Sequence, residues 1–172
     1  MPCSVQILRK YLNPVFVETG TYLGEGVVAA LKAGFAKVYT IELSKNLYED
    51  ASRKFAWDDR VRVFNGDSST RLWEVISGIN NPITFWLDAH YSLGHTEKGS
   101  KMCPLLEELE TISVHPWKNH TILVDDRRLL GSQYMEPTEE EVIHALMKIS
   151  PSYQISYEDG VITNDVIVAS TD

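Results

Sequence analysis

Acidic side chains hold most of the positions in this 172-residue sequence where chemistry is easiest to place. Three aspartates directly follow apolar, β-type runs: Asp88 ends FWLD, and Asp125 with Asp126 ends ILVDD. If those runs are neighbouring strands of a parallel sheet, the three carboxylates share one rim. Two carboxylates about 4 Å apart repel by about 4 kcal/mol at an effective dielectric of 20. Such a trio spreads into solvent, takes up a proton, or binds a cation. A hard divalent ion relieves it best, and Mg2+ keeps positions open for water or a substrate oxygen. The plainer reading makes Asp88 a capping acid and Asp126 the start of a turn, with Asp125 touching only backbone or a cofactor.

A second set of residues points to a nucleoside. Between the first apolar run and the first helical pattern lies ETGTYLGEG, from Glu18 to Gly26, with glycines at 20, 24 and 26. Glycines let a ligand approach the backbone, and a helix N-terminus offers unpaired N–H groups to an anion. The spacing is neither GxGxxG nor a Walker loop, which speaks against a nicotinamide-dependent oxidoreductase on a related sheet. Glu42 ends the next β-type run about 20 residues further on, where an acid accepts both hydroxyls of a ribose. Asp67 and Ser68, in FNGDSS, stand at the following strand tip and can meet a base's exocyclic amine and ring nitrogen.

Positioning these groups requires strands and helices in alternation. Short β-branched or aromatic runs at 15–18, 37–41, 61–64, 83–87 and 121–124 alternate with stretches apolar every three or four residues. That alternation predicts an α/β fold around a parallel sheet, its strands apolar on both faces beneath helices. The helices carry their own punctuation. One closes at Gly34, Ser44 caps KNLYEDASRKF, Ser69 leads into TRLWEVISG, and Pro104 opens LLEELETI. Thr138 with Glu141 forms a capping box ahead of a fifth. Two β-type runs flank Asp159-Gly160 with no room for a helix, which predicts a C-terminal antiparallel hairpin. The connections at 89–103 and 126–137 are longer than joining requires, and both follow strand C-termini, where open α/β sheets bind ligands.

The Glu18–Gly24 loop, Glu42 and Gly66-Asp67-Ser68 resemble the first three motifs of class I S-adenosylmethionine-dependent methyltransferases, in particular the metal-dependent O-methyltransferases of the catechol and macrolide-sugar type. The resemblance covers residues 15 to about 131. It implies a Rossmann-like, doubly wound sheet of seven strands, mostly parallel with the last strand antiparallel, in a single domain over 1–172. It also implies a division of labour. Glu18, Tyr22 and the backbone of Gly20, Gly24 and Gly26 hold the methionine portion, Glu42 with its neighbour Leu43 the ribose, and Asp67 with Ser68 the adenine. Asp88 borders the cofactor, and Asp88, Asp125 and Asp126 match the family's metal ligands. Catechol-type enzymes have a lysine three residues after the first metal acid, where this chain has Tyr91. For the general base that leaves His90, whose ordinary pKa suits proton removal near pH 7, with His95 and Lys98 on the same loop.

Bulk properties narrow the partners. A formal charge of −8 argues against general nucleic-acid binding, which depends on Lys and Arg displacing counterions. No apolar run approaches the roughly 20 residues of a bilayer span. The two cysteines, Cys3 and Cys103, form no disulfide framework or zinc spacing, so a reducing cytoplasm is the expected setting. The expected acceptor is a small molecule or glycan. With about 14 residues ahead of the first strand, the cleft is open, borrows a lid from a second subunit, or takes something large. A metal-independent methyltransferase and a non-catalytic nucleoside-binding module are the alternatives, the latter favoured by the missing lysine.

Overall fold

The computed structural model describes residues 3–89 and 103–171. The elements run α1 (Val5–Lys10), β1 (Val15–Thr19), α2 (Glu25–Ala33), β2 (Lys37–Glu42), α3 (Lys45–Phe55), β3 (Val61–Asn65), α4 (Ser68–Ile76), β4 (Ile83–Leu87), α5 (Leu105–Ser113), β5 (Thr121–Val124), α6 (Glu139–Ile149), β6 (Gln154–Glu158) and β7 (Val166–Ser170). They build one seven-stranded sheet in the order β3-β2-β1-β4-β5-β7-β6. Strand β7 alone runs antiparallel, inserted between β5 and β6.

Strand alternation sorts the core into two layers. Val15, Val17, Ile83, Phe85, Leu87, Ile122 and Val124 face α4, α5 and α6, where they meet Leu72, Leu109, Ile112, Val142 and Leu146. Phe16, Val38, Trp86, Leu123 and Val168 face the other way, onto α1, α2 and α3. Both faces of the central strands are therefore buried, which is why they read as continuous apolar runs. The order in which strands are added reverses between β1 and β4, which are parallel: β1 leads outward to β2 and β3 on one side, while β4 leads to β5 on the other. A crevice at such a switch point lies outside the strand C-termini.

Three local details differ from the sequence expectations. Helix α1 was not anticipated, because six residues are too few to display a 3.6-residue period; Ser4 caps it, and Ile7 and Leu8 are buried in the layer shared with α2. Ser44 occupies the N-cap of α3 but makes no side-chain capping bond, and its N–H instead donates to Glu42 Oε1 at 2.8 Å. Helix α4 is capped by Asp67, not led by Ser69: Asp67 Oδ1 accepts from Ser69 N at 3.0 Å and from Ser69 Oγ at 2.6 Å. The capping box at Thr138 and Glu141 forms as expected. The C-terminal strands pair antiparallel through residues 159–165, a longer connection than a tight Asp-Gly turn. Trp86 is core, whereas Trp57 is 76% exposed.

Candidate active site at the strand C-termini

The turn after β1 is packed by the protein itself. Gly20 has φ +85, and a Cβ there would lie 2.6 Å from the Asp88 carbonyl oxygen, so the tips of β1 and β4 touch only because this residue is glycine. At Gly26, in the first turn of α2, a Cβ would sit 1.8 Å from Glu18 Oε1. Packing within the protein thus requires glycine at both positions.

Glu18 is 3% exposed, and Thr40 Oγ1 donates to its Oε2 at 2.7 Å. Burial pushes its pKa up to about 8 against the opposing Thr40 hydrogen bond, and Asp88 and Glu42 push the same way. Glu42 is equally enclosed but better satisfied. Its Oε2 accepts from Tyr22 N at 2.8 Å and its Oε1 from Ser44 N, which fixes the carboxylate between the β1 and β2 tips. Tyr22 makes that bond from a left-handed conformation, φ 46, with its side chain 45% exposed. Leu43 is half-buried, and Asn65 Nδ2 donates to the carbonyls of Glu42 and Leu43 at 2.8 and 3.1 Å.

At the third tip Asp67 is half-buried and caps α4, while Ser68 is 4% exposed and turned inward. The hydroxyls of Ser68 and Thr19 favour the charged form of Glu108, an acid on α5 that is 1% exposed and whose Oε1 has no hydrogen-bond partner among the described residues. Burial raises Glu108 to about 7, with Asp67 and Asp88 adding repulsion. Glu108 also lines a small cavity with Leu87, Asp88, Ala89, Cys103, Leu105 and Met135. Sequence reasoning missed it, although a signal existed: Glu108 falls in the stripe Leu105, Leu109, Ile112, the face that α5 buries.

The aspartates of β4 and β5 do converge. One carboxylate oxygen from each of Asp88, Asp125 and Asp126 lies within 4.8 Å of the other two. Asp125 is 1% exposed; its Oδ1 accepts from Asp126 N at 2.8 Å, while its Oδ2 has no hydrogen-bond partner among the described residues. Burial, then Asp88 and Asp126, drives its pKa up to about 9. An orphaned, buried carboxylate oxygen beside two others suits a hard divalent ion, whose oxygen ligands surround it at about 2.0–2.6 Å. Asp126 has φ 57 and pairs with Arg128, which is also bonded to the fully buried Asp165. Arg127 pairs with Glu139 at 2.9 Å and stacks on Tyr157. Both arginines therefore have partners within the protein. His90, Tyr91, His95 and Lys98 lie outside the described residues.

Glu18, Glu42, Asp67 and Asp88 thus sit at the C-terminal tips of four successive parallel strands, β1 to β4, close enough that Glu18 feels both Glu42 and Asp88. No protein-family model matches the sequence, and no curated protein matches it. Solved structures do resemble it. A Clostridium thermocellum protein described as a candidate rRNA methylase superposes with a TM-score of 0.67 at 12% identity, covering 96% of this chain and 92% of its own. The O-methyltransferase from Bacillus cereus in complex with SAH gives 0.65 at 13% identity, covering 96% and 78%. The SAH-bound methyltransferase PaMTH1 of Podospora anserina gives 0.62 at 16% identity, covering 96% and 75%. At these identities the likeness shows architecture: the chain has the class I S-adenosylmethionine-dependent methyltransferase fold.

Proposed function

We propose that this chain is an S-adenosylmethionine-dependent methyltransferase that methylates a hydroxyl oxygen with the help of Mg2+ at Asp88, Asp125 and Asp126. One observation carries the reading: the three aspartates meet at adjacent strand tips, with the unpartnered Asp125 Oδ2 among them, next to the row of acids at the tips of β1, β2 and β3. S-adenosylmethionine supplies the reactive methyl group, and a divalent ion held by the trio supplies Lewis acidity toward the acceptor hydroxyl.

The residues then have distinct tasks. Glu42, already fixed by two backbone N–H groups, accepts from the ribose hydroxyls without reorganising. Asp67 faces the base at the next tip. Glu18 lies beneath the loop that takes the methionine portion, and in its neutral state does not add charge under the trio. His90, two residues beyond Asp88, removes the acceptor proton, with Lys98 as the second candidate. Orientation of the two reactants accounts for most of the acceleration such a site needs.

The acceptor class we assign is a small molecule or glycan, since an overall charge of −8 disfavours a polyanion. Among the described residues no helix is long and apolar enough to cross a membrane. The test is calorimetry with S-adenosylhomocysteine, NADH and Mg2+, followed by transfer of labelled methyl to hydroxylated acceptors with and without EDTA. Asp125→Asn should abolish most divalent-ion binding and leave S-adenosylhomocysteine affinity within about threefold. Equal loss of both would assign Asp125 to the cofactor, and binding of NADH alone would overturn the methyltransferase reading.

A further inference from the structure

Asp126 is held from outside the site. The turn that follows it, Arg127–Leu129, is sewn onto the β6–β7 connection by bonds that converge on Asp165. Arg128 N donates to Asp165 Oδ1 at 3.1 Å, and Arg127 N donates to the Asp165 carbonyl at 2.7 Å. Val161 N donates to Asp165 Oδ2 at 3.1 Å, and Arg128 Nη1 reaches that same oxygen. Asp165 is fully buried, and a Cβ on Gly160 would lie 2.9 Å from its own Cβ, so the connection is folded tightly around this one carboxylate. The Nη1 of Arg128 also bonds Asp126 Oδ1. A buried acid on the C-terminal connection is therefore linked, through one guanidinium nitrogen, to Asp126 of the aspartate trio.

We propose that Asp165 is a positioning residue for the divalent-ion site: through Arg128 it sets the orientation of the Asp126 carboxylate and so the affinity of the trio for the ion. The inference rests on the metal-assisted reading above. Ligating carboxylates are oriented by hydrogen-bonded partners outside the ligand set, and losing such a partner typically weakens metal affinity about 10–100-fold. Arg128 suits the task because its Nη1 bears two N–H donors, one for each carboxylate, on a group that stays charged. Asp126 has a left-handed backbone, so an external hold on its side chain has a conformational reason as well.

The test is Mn2+ titration of the full chain by calorimetry, with S-adenosylhomocysteine affinity measured alongside. Asp165→Asn should weaken Mn2+ binding at least tenfold while changing S-adenosylhomocysteine affinity less than threefold. Arg128→Met, which removes both donors, should weaken it comparably, and it keeps the question open to test should Asp165→Asn not fold. The double variant should be no weaker than the worse single one, since both act through one chain of bonds. Wild-type Mn2+ affinity in both variants would overturn the inference and leave the metal site standing. Additive losses would overturn the path through Arg128. Failure of the wild-type protein to bind Mn2+ would overturn both proposals together.

Discussion

Glu108→Gln tests the electrostatics of the site most directly. In the folded chain the Glu108 carboxyl is raised from its usual 4.5 to about 7, chiefly by burial. Its neutral form is favoured, so the stability that Glu108 contributes is fully present below about pH 4.5 and is lost as pH rises through 7. Each tenfold preference for the neutral form is worth about 1.4 kcal/mol, so between about pH 4.5 and 8.5 the wild type should lose about 3 kcal/mol through this group alone. Glutamine has the same shape and cannot ionise. The difference between variant and wild type should therefore move by about 3 kcal/mol in favour of the variant over that range, or about 6–12 °C in melting temperature for a chain of this size. Urea midpoints for both proteins at half-unit pH steps would measure it. Only the pH dependence of the difference matters, so any fixed penalty of the amide against Ser68 and Thr19 drops out. Parallel curves for the two proteins would refute the argument and mean that Glu108 is charged and solvated at neutral pH.

Other perturbations separate packing from chemistry. Gly26→Ala drives a Cβ into Glu18 Oε1; the overpacking should outweigh the better helix propensity of alanine and destabilise by about 1–3 kcal/mol, read as a lower melting temperature. At the opposite end of the sheet, Ile83 N donates to His120 Nδ1, and His120 Nε2 then donates to His115 Nδ1, at 3.1 and 3.0 Å. The His120 ring, accepting at Nδ1, is neutral there, and burial with repulsion from His115 and Lys118 lowers it to about 3. Its contribution is present above about pH 6.5 and declines as pH falls toward 3. The wild type should thus lose about 2 kcal/mol more than His120→Asn between about pH 6.5 and 4.5, measured by urea unfolding.

How far the sequence disclosed this arrangement depended on the range of each signal. The strands at 83–87 and 121–124 were visible because burial on both faces leaves an unbroken apolar run, and their following aspartates were visible because a charge there needs a reason. The capping box at Thr138 is likewise local, three residues from end to end. What stayed hidden was set by distant packing. Glu18 is tied to Thr40 and Gly26, and Asp165 reaches Arg128 across 37 residues. Neither link leaves any periodicity to detect. Ser68 was read as facing a base, and its inward turn to Glu108 follows from the register of α5 against α4, which no short motif encodes.

The place of β7 in the sheet bears on how the molecule is assembled. Strand β5 cannot complete its hydrogen bonding until a segment more than 40 residues later slips in beside it, as the pairing of Ile122 with Ala169 shows. Contacts of such sequence separation slow folding, because loop closure precedes any gain from pairing. Asp165 sits at the leading edge of that late-arriving segment. The clasp on Arg128 is accordingly among the last connections to close, and a chain halted just short of that insertion would carry nearly finished β1, β2 and β3 tips beside an unclamped Asp126.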